Sequence, residues 1–80
     1  MRLQGRYEWL RGKPAAAQRW WQRSLDTAER IGLRYDLGMT HLEMGQRLGD
    51  RAHLEKAEAL FAEIGAERDL AHAQQALKGL

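Results

Sequence analysis

Residues 14–32, which read PAAAQRWWQRSLDTAERIG, carry the clearest structural pattern in the chain. Apolar and small side chains recur there every three or four positions, which is the period of an amphipathic α-helix. Pro14 suits the first turn of such a helix, where the missing N–H costs nothing, and Gly32 suits the position that ends it. The pattern predicts a helix over residues 14–31. Its apolar row consists of Ala17, Trp20, Trp21, Ser24, Leu25, Ala28 and Ile31.

Glycines divide the rest of the chain at regular intervals. The two-residue breaks at 12–13, 32–33, 49–50 and 65–66 each begin with a glycine, and they divide the chain into five segments. Each segment shows helical periodicity, which predicts further helices over residues 1–11, 34–48, 52–64 and 67–78. The first carries Leu3, Tyr7 and Leu10 on one side. Two apolar rows occur on the third, namely Leu37, His41, Met44 and Leu48, and Tyr35, Met39 and Leu42.

Composition supports an all-α fold. The chain has no Val, Asn or Cys, and only four β-branched residues, against twelve Ala and twelve Leu. Strand formers are therefore scarce and helix formers abundant. The absence of Cys excludes disulfides and thiolate metal sites. No apolar run approaches the roughly 20 residues that span a bilayer, and no signal peptide opens the chain, so we expect a cytoplasmic protein without membrane contacts.

Charge is distributed unevenly along the chain. The net charge of +2 divides into +5 for residues 1–34, from eight basic and three acidic residues, and −3 for residues 35–80, from five basic and eight acidic residues. Such asymmetry either marks a nucleic-acid surface or gives the two ends of one body opposite fields. A nucleic-acid-binding domain is therefore one alternative. Its phosphate contacts would be Arg2, Arg6, Arg11, Arg19 and Arg23, and its affinity would fall steeply with salt.

An internal repeat appears when the sequence is shifted by 33 residues. Residues 31–37, IGLRYDL, then lie over residues 64–70, IGAERDL, and Gly5 and Gly12 lie over Gly38 and Gly45. A period of 33 or 34 residues made of two antiparallel helices is typical of helix-pair solenoids. The repeat predicts one domain over residues 1–80, with helix pairs at 1–32 and 33–65 and a capping helix at 66–80.

The repeated positions resemble the tetratricopeptide family. Leu37-Gly38, His41 and Gly45, followed by Ala57 and Phe61, occupy the places of that family's pattern, with His41 where an aromatic residue is usual. In the preceding unit the places fall on Gly5, Gly12, Ala17 and Trp21, and Glu8 departs from the pattern. The second unit also has about seven extra residues between Gly45 and Ala57, and the usual proline between units is missing.

A narrower resemblance is carried by residues 20–25, WWQRSL, residues 47–54, RLGDRAHL, and residues 59–66, ALFAEIGA. These stretches are similar to the C-terminal repeats of large bacterial signalling proteins, which join a nucleotide cyclase or kinase to a regulatory ATPase and a helical array. The resemblance implies a protein–protein interaction or scaffolding module that regulates an attached domain.

The family resemblance also implies a concave peptide-binding groove on the first helix of each pair. Its partner would be an acidic or aromatic-bearing protein segment, or a neighbouring repeat of a parent protein. Carried onto this sequence, the groove positions are Arg2, Arg6, Trp9, Tyr35, Met39, Leu42, Glu43, Arg68, His72 and Gln75.

Catalytic, cofactor and metal sites are not expected. His41, His53 and His72 lie on three different segments without the i, i+4 spacing or nearby Cys that metal sites favour. Ser24 is the only serine and lies within a helix, with no nucleophile elbow around it. No glycine-rich phosphate loop occurs either.

Self-association is a further alternative, in which the domain acts as a structural cap or forms a homodimer. Trp20 and Trp21 point about 100° apart on one helix, so one can enter the core while the other lies at its margin. Fewer than three full repeats bury little core. We therefore expect association through the N-terminal surface around Trp9 and Trp20.

Overall fold

Five α-helices joined by short turns make up the computed structural model, which describes residues 2–80. They are α1 (Arg2–Leu10), α2 (Pro14–Ile31), α3 (Arg34–Leu48), α4 (Arg51–Ile64) and α5 (Glu67–Lys78). No strand occurs within residues 2–80, so the all-α prediction is confirmed. The helix limits differ from the predicted ones by one residue at most, and the predicted start at Met1 lies outside the described residues. None of the five helices is both long enough and apolar enough to cross a membrane.

The four turns share one backbone geometry. Gly12, Gly32, Gly49 and Gly65 all have left-handed φ angles, between +64° and +78°. After each glycine, the next N–H donates to the carbonyl five residues back, at 2.8–3.0 Å. This bond is typical of the Schellman motif, in which glycine adopts the left-handed conformation without a Cβ penalty. The predicted role of these glycines as helix stops is confirmed.

The helices differ in how they begin. Pro14 opens α2 at its first turn, as predicted. Asp50 caps α4, since its carboxylate accepts hydrogen bonds from the N–H groups of Ala52, at 2.9 Å, and His53. By contrast, α2, α3 and α5 begin without a side-chain cap. Their first turns therefore depend on packing rather than on local hydrogen bonds.

Each helix packs against the one before it and the one after it, and α3 lies between two apolar clusters. One cluster joins Ala17, Trp21 and Leu25 of α2 to Met44 of α3, and Leu37 and Leu48 pack against it. The other joins Leu42 of α3 to Leu54, Ala57 and Phe61 of α4 and to Ala73 of α5. The two apolar rows predicted on α3 thus serve two different clusters.

Glycines allow close approach within both helix pairs. A Cβ on Gly5 would lie 2.4 Å from the Trp21 ring, and a Cβ on Gly38 would lie 2.7 Å from the Phe61 ring. These two glycines are 33 positions apart, so the repeat seen in the sequence recurs as a contact between a glycine and an aromatic ring. Gly12 and Gly45 do not correspond in the same way, because Gly12 forms a turn and Gly45 packs against Leu54 inside α3.

The apolar side of α1 is not part of the core. Leu3, Tyr7 and Leu10 are 64%, 54% and 69% exposed, whereas the buried residues of α1 are Gly5 and Glu8. An amphipathic helix in a small domain normally buries its apolar side. In α1 the contact with α2 is instead made by Gly5, which has no side chain and so leaves room for the Trp21 ring.

Candidate binding face on the odd-numbered helices

The odd-numbered helices are linked side by side along one face. Arg6 of α1 forms an ion pair with Glu43 of α3, with Nη2 and Oε1 2.7 Å apart. Leu42 of α3 in turn packs in one apolar cluster with Ala73 of α5, and the Asp69 carboxylate of α5 raises the pKa of the Tyr35 phenol on α3. These two contacts connect helices that are not neighbours in sequence. Side chains from α1, α3 and α5 therefore share a continuous surface, which we call the odd-helix face.

Glu43 is a buried carboxylate held by two arginines. Its side chain is 7% exposed, and it accepts hydrogen bonds from Arg6 and from Arg47, whose Nε lies 2.9 Å from Oε2. Burial alone would raise the pKa of Glu43, but the hydrogen bonds and charges of Arg6 and Arg47 outweigh burial and keep this pKa below its ordinary value. The pKa of Arg6 is raised by the same hydrogen bond and charge. The middle of the face thus carries two guanidinium groups for one carboxylate.

Tyr35 places an exposed aromatic ring on the face. It lies 6.0 Å from the Phe61 ring, centroid to centroid, and it is 47% exposed. Its hydrogen bond to Asp69, together with burial and the charge of that carboxylate, raises the pKa of the phenol. The hydroxyl therefore stays protonated, and the ring is held between α3 and α5.

The predicted groove residues divide into an open part and a packed part. Leu42 and Glu43 are buried, and Leu42 belongs to the core cluster. Trp9 and Met39 are half-buried and pack against the two clusters. Partners therefore have access chiefly to the remaining residues, of which Arg2 and Arg6 are half-buried and Tyr35, Arg68, His72 and Gln75 are exposed.

The face also contains residues that the sequence reasoning did not single out. Arg47 lies four positions after Glu43, and that helical spacing was a usable signal for the ion pair. Asp69 could not be found in this way, because its contact with Tyr35 depends on how α5 packs against α3. With Arg2, Arg6, Arg47 and Arg68 against Glu43 and Asp69, the face has more basic than acidic groups.

Two of the three histidines meet between α3 and α4. His41 is buried, and its Nδ1 lies 2.9 Å from Nδ1 of His53. Burial, followed by the charges of His53 and Lys56, lowers the pKa of His41 to about 4. The His41 ring is therefore neutral near pH 7. His72 is exposed on α5, and residues 2–80 contain no group of three or more His, Cys, Asp or Glu that could hold a metal ion.

Ser24 and several of the arginines proposed as phosphate contacts interact with other side chains. Ser24 is buried, with its Oγ 3.0 Å from Oγ1 of Thr40. Of the five arginines proposed as phosphate contacts, three interact with other side chains: Arg6 pairs with Glu43, Arg11 pairs with Glu8, and Arg23 lies 5.0 Å from the centre of the Trp20 ring.

The tryptophans differ in how deeply they are buried, as predicted for Trp20 and Trp21 on α2. Trp21 is fully buried and Trp20 is half-buried. Trp9 is half-buried too, with its ring centroid 5.8 Å from that of Trp21. Trp9 is therefore largely engaged in packing between α1 and α2. The exposed apolar surface of α1 is formed by Leu3, Tyr7 and Leu10 instead.

Comparison of the chain with protein-family models, with curated proteins and with solved structures finds no match.

Proposed function

We propose that the chain is a non-catalytic protein-binding module, built as a tetratricopeptide-like array of two helix pairs and a closing helix. The repeated contact between a glycine and an aromatic ring, at Gly5–Trp21 and Gly38–Phe61, supports the array. So do the turns after α2 and α4, which have the same glycine geometry and the same hydrogen bond. The odd-helix face would be the binding surface, with the odd-numbered helices as the inner layer of the array.

The observation that carries this proposal is the joining of α1 to α3 by the Arg6–Glu43 ion pair and of α3 to α5 by the cluster that holds Leu42 and Ala73. These contacts fix the inner helices relative to one another before a partner arrives. A preorganised face loses little conformational entropy on binding. Its exposed groups, an aromatic ring at Tyr35 and a cation at Arg68, suit a segment with carboxylates and an aromatic or aliphatic side chain.

A labelled peptide of alternating Glu and Phe, titrated with the protein and followed by fluorescence anisotropy, tests the proposal. We expect Arg68→Glu to weaken binding about tenfold, because it reverses one exposed charge on the face. Arg19→Glu makes the same change on α2, away from the face, and should leave the affinity within a factor of two. Absence of binding at millimolar protein, or equal losses in both variants, would overturn the proposal.

A further inference from the structure

The exposed apolar residues of α1 form a second surface, which borders the odd-helix face near Arg2. Leu3, Tyr7 and Leu10, which we call the α1 apolar row, are spaced four and three positions apart and are all more than half exposed. We propose that this row binds an amphipathic helix with acidic flanks, supplied by a partner. This function goes beyond the binding proposed for the odd-helix face and does not depend on it.

The internal repeat shows what covers the equivalent position elsewhere in the chain. Tyr7 stands 33 positions before Thr40 on α3 and 66 positions before Ala73 on α5. Thr40 is fully buried and bonds to Ser24 of the preceding helix α2, and Ala73 is fully buried in the cluster that includes α4. In both places the cover is an amphipathic helix that precedes the odd-numbered helix. On α1 the same position is exposed, so Tyr7 stands where a preceding helix packs on α3 and on α5. The equivalents of Leu3 and Leu10 on α3 are different, since Asp36 is exposed and Glu43 pairs with Arg6 and Arg47.

The size of the side chains defines the contact surface of the partner helix. Thr40 and Ala73 are small. Phe61 of the covering helix α4 shares a cluster with Ala73, and the covering helix α2 bonds to Thr40 through Ser24. Tyr7 is large and already projects from α1. Close packing therefore requires small residues, such as alanine, opposite Tyr7, with aliphatic residues beside Leu3 and Leu10.

Charge defines the flanks of the partner helix. The charged residues of α1 and the turn after it are Arg2, Arg6, Arg11, Lys13 and Glu8, and Glu8 is buried and paired with Arg11. The Arg11 guanidinium also lies 5.3 Å from the centre of the Tyr7 ring, so a cation borders the row itself. A helix with basic flanks would be repelled there, whereas acidic flanks would be attracted.

Two peptides from this chain are suitable probes, because both correspond to helices that cover an odd-numbered helix. The peptide of residues 50–65 has four acidic and two basic residues, for a net charge of −2, and it contains Ala57, Ala59 and Ala62. The peptide of residues 13–32 has two acidic and four basic residues, for a net charge of +2. Each would carry a fluorophore and be titrated with the full chain. We expect the acidic peptide to bind at least tenfold more tightly than the basic one.

Polar substitutions in the row provide the decisive comparison. The double variant Leu3→Gln/Leu10→Gln changes two exposed side chains, so the fold should tolerate it. We expect it to weaken binding of the 50–65 peptide at least tenfold. The matched variant Ile64→Gln/Leu80→Gln changes two other exposed apolar residues and should have no effect. Arg68→Glu should likewise have none, which separates this surface from the odd-helix face.

Three results would overturn the proposal. The first is no binding of the acidic peptide at millimolar protein. The second is equal binding by the wild type and the Leu3→Gln/Leu10→Gln variant, which would place the peptide elsewhere, for example in exchange for α4. The third is a wild-type dimer in sedimentation velocity that this variant converts to a monomer, because the row would then be occupied by a second copy of the chain.

Discussion

Gly5 and Gly38 each lie against an aromatic ring of the following helix, so a methyl group at either position would collide with that ring. We expect Gly5→Ala and Gly38→Ala each to lower the free energy of unfolding by about 1–3 kcal/mol, the usual effect of overpacking. The measurement is urea denaturation followed by circular dichroism.

Gly79→Ala is the control for these two variants. Gly79 has helical φ and ψ angles, and the nearest atom to an added Cβ is 3.5 Å away. Its unfolding free energy should stay within about 0.5 kcal/mol of the wild type. If Gly5→Ala and Gly38→Ala were as stable as the wild type, the Trp21 and Phe61 rings would not lie against these two glycines.

His41 is expected to make stability depend on pH. Its pKa is about 4 in the folded chain and near 6.5 when unfolded, so between these values the unfolded chain binds a proton that the folded chain does not. Stability therefore falls as the pH is lowered through this window, by roughly 1–2 kcal/mol between pH 7 and pH 5. The lowered pKa of Glu43 acts in the same direction, but only below its ordinary value of 4.5.

Replacing the ring tests this assignment. His41→Phe keeps an aromatic side chain but removes the titrating group, so its unfolding free energy should change little between pH 7 and pH 5. His72→Gln changes an exposed histidine and should retain the wild-type dependence. An unchanged pH dependence in His41→Phe would assign the effect to another group.

At the level of helices, α4 has a feature that α2, α3 and α5 lack, which is the side-chain cap of Asp50. We expect Asp50→Ala to lower the free energy of unfolding by about 1 kcal/mol. The exchange of the Ala52 and His53 amide hydrogens should also become faster, because both lose their acceptor. Glu55→Ala, an exposed change on the same helix, should affect neither quantity. If the Ala52 and His53 amide hydrogens exchanged at the wild-type rate in Asp50→Ala, the Asp50 carboxylate would not cap α4.

Helix limits followed from the sequence because their causes are local. Left-handed glycines stop four helices, and Pro14 starts one. The orientation of α1 was harder to predict, because Leu3, Tyr7 and Leu10 form a better apolar row than the residues that α1 buries. α1 buries the side that carries Gly5 because Gly5 fits against the Trp21 ring, and this is a tertiary contact.

Across the molecule, the repeat predicted the correspondence of Gly5 with Gly38, but the pair Gly12 and Gly45 does not correspond in the structure, and other contacts were not predicted. The equivalence of Gly5 and Gly38 appears in both sequence and structure. The effect of Asp69 on the pKa of Tyr35 and the His41–His53 contact each involve residues on different helices, so no periodicity within one helix predicts them. Charge shows the same limit: the division into a basic first half and an acidic second half did not indicate that Glu43 would hold both Arg6 and Arg47.

The odd-helix face is the proposed functional surface of this molecule, and an NMR titration tests it. The uniformly ¹⁵N-labelled chain would be titrated with the unlabelled Glu/Phe peptide, and amide shifts would be recorded in heteronuclear correlation spectra. We expect the largest changes at Tyr35, Arg68 and His72, with little change on the outer side of α2 around Arg19. Shifts that are absent, or that are as large on α2 as on α3 and α5, would contradict a binding role for this face.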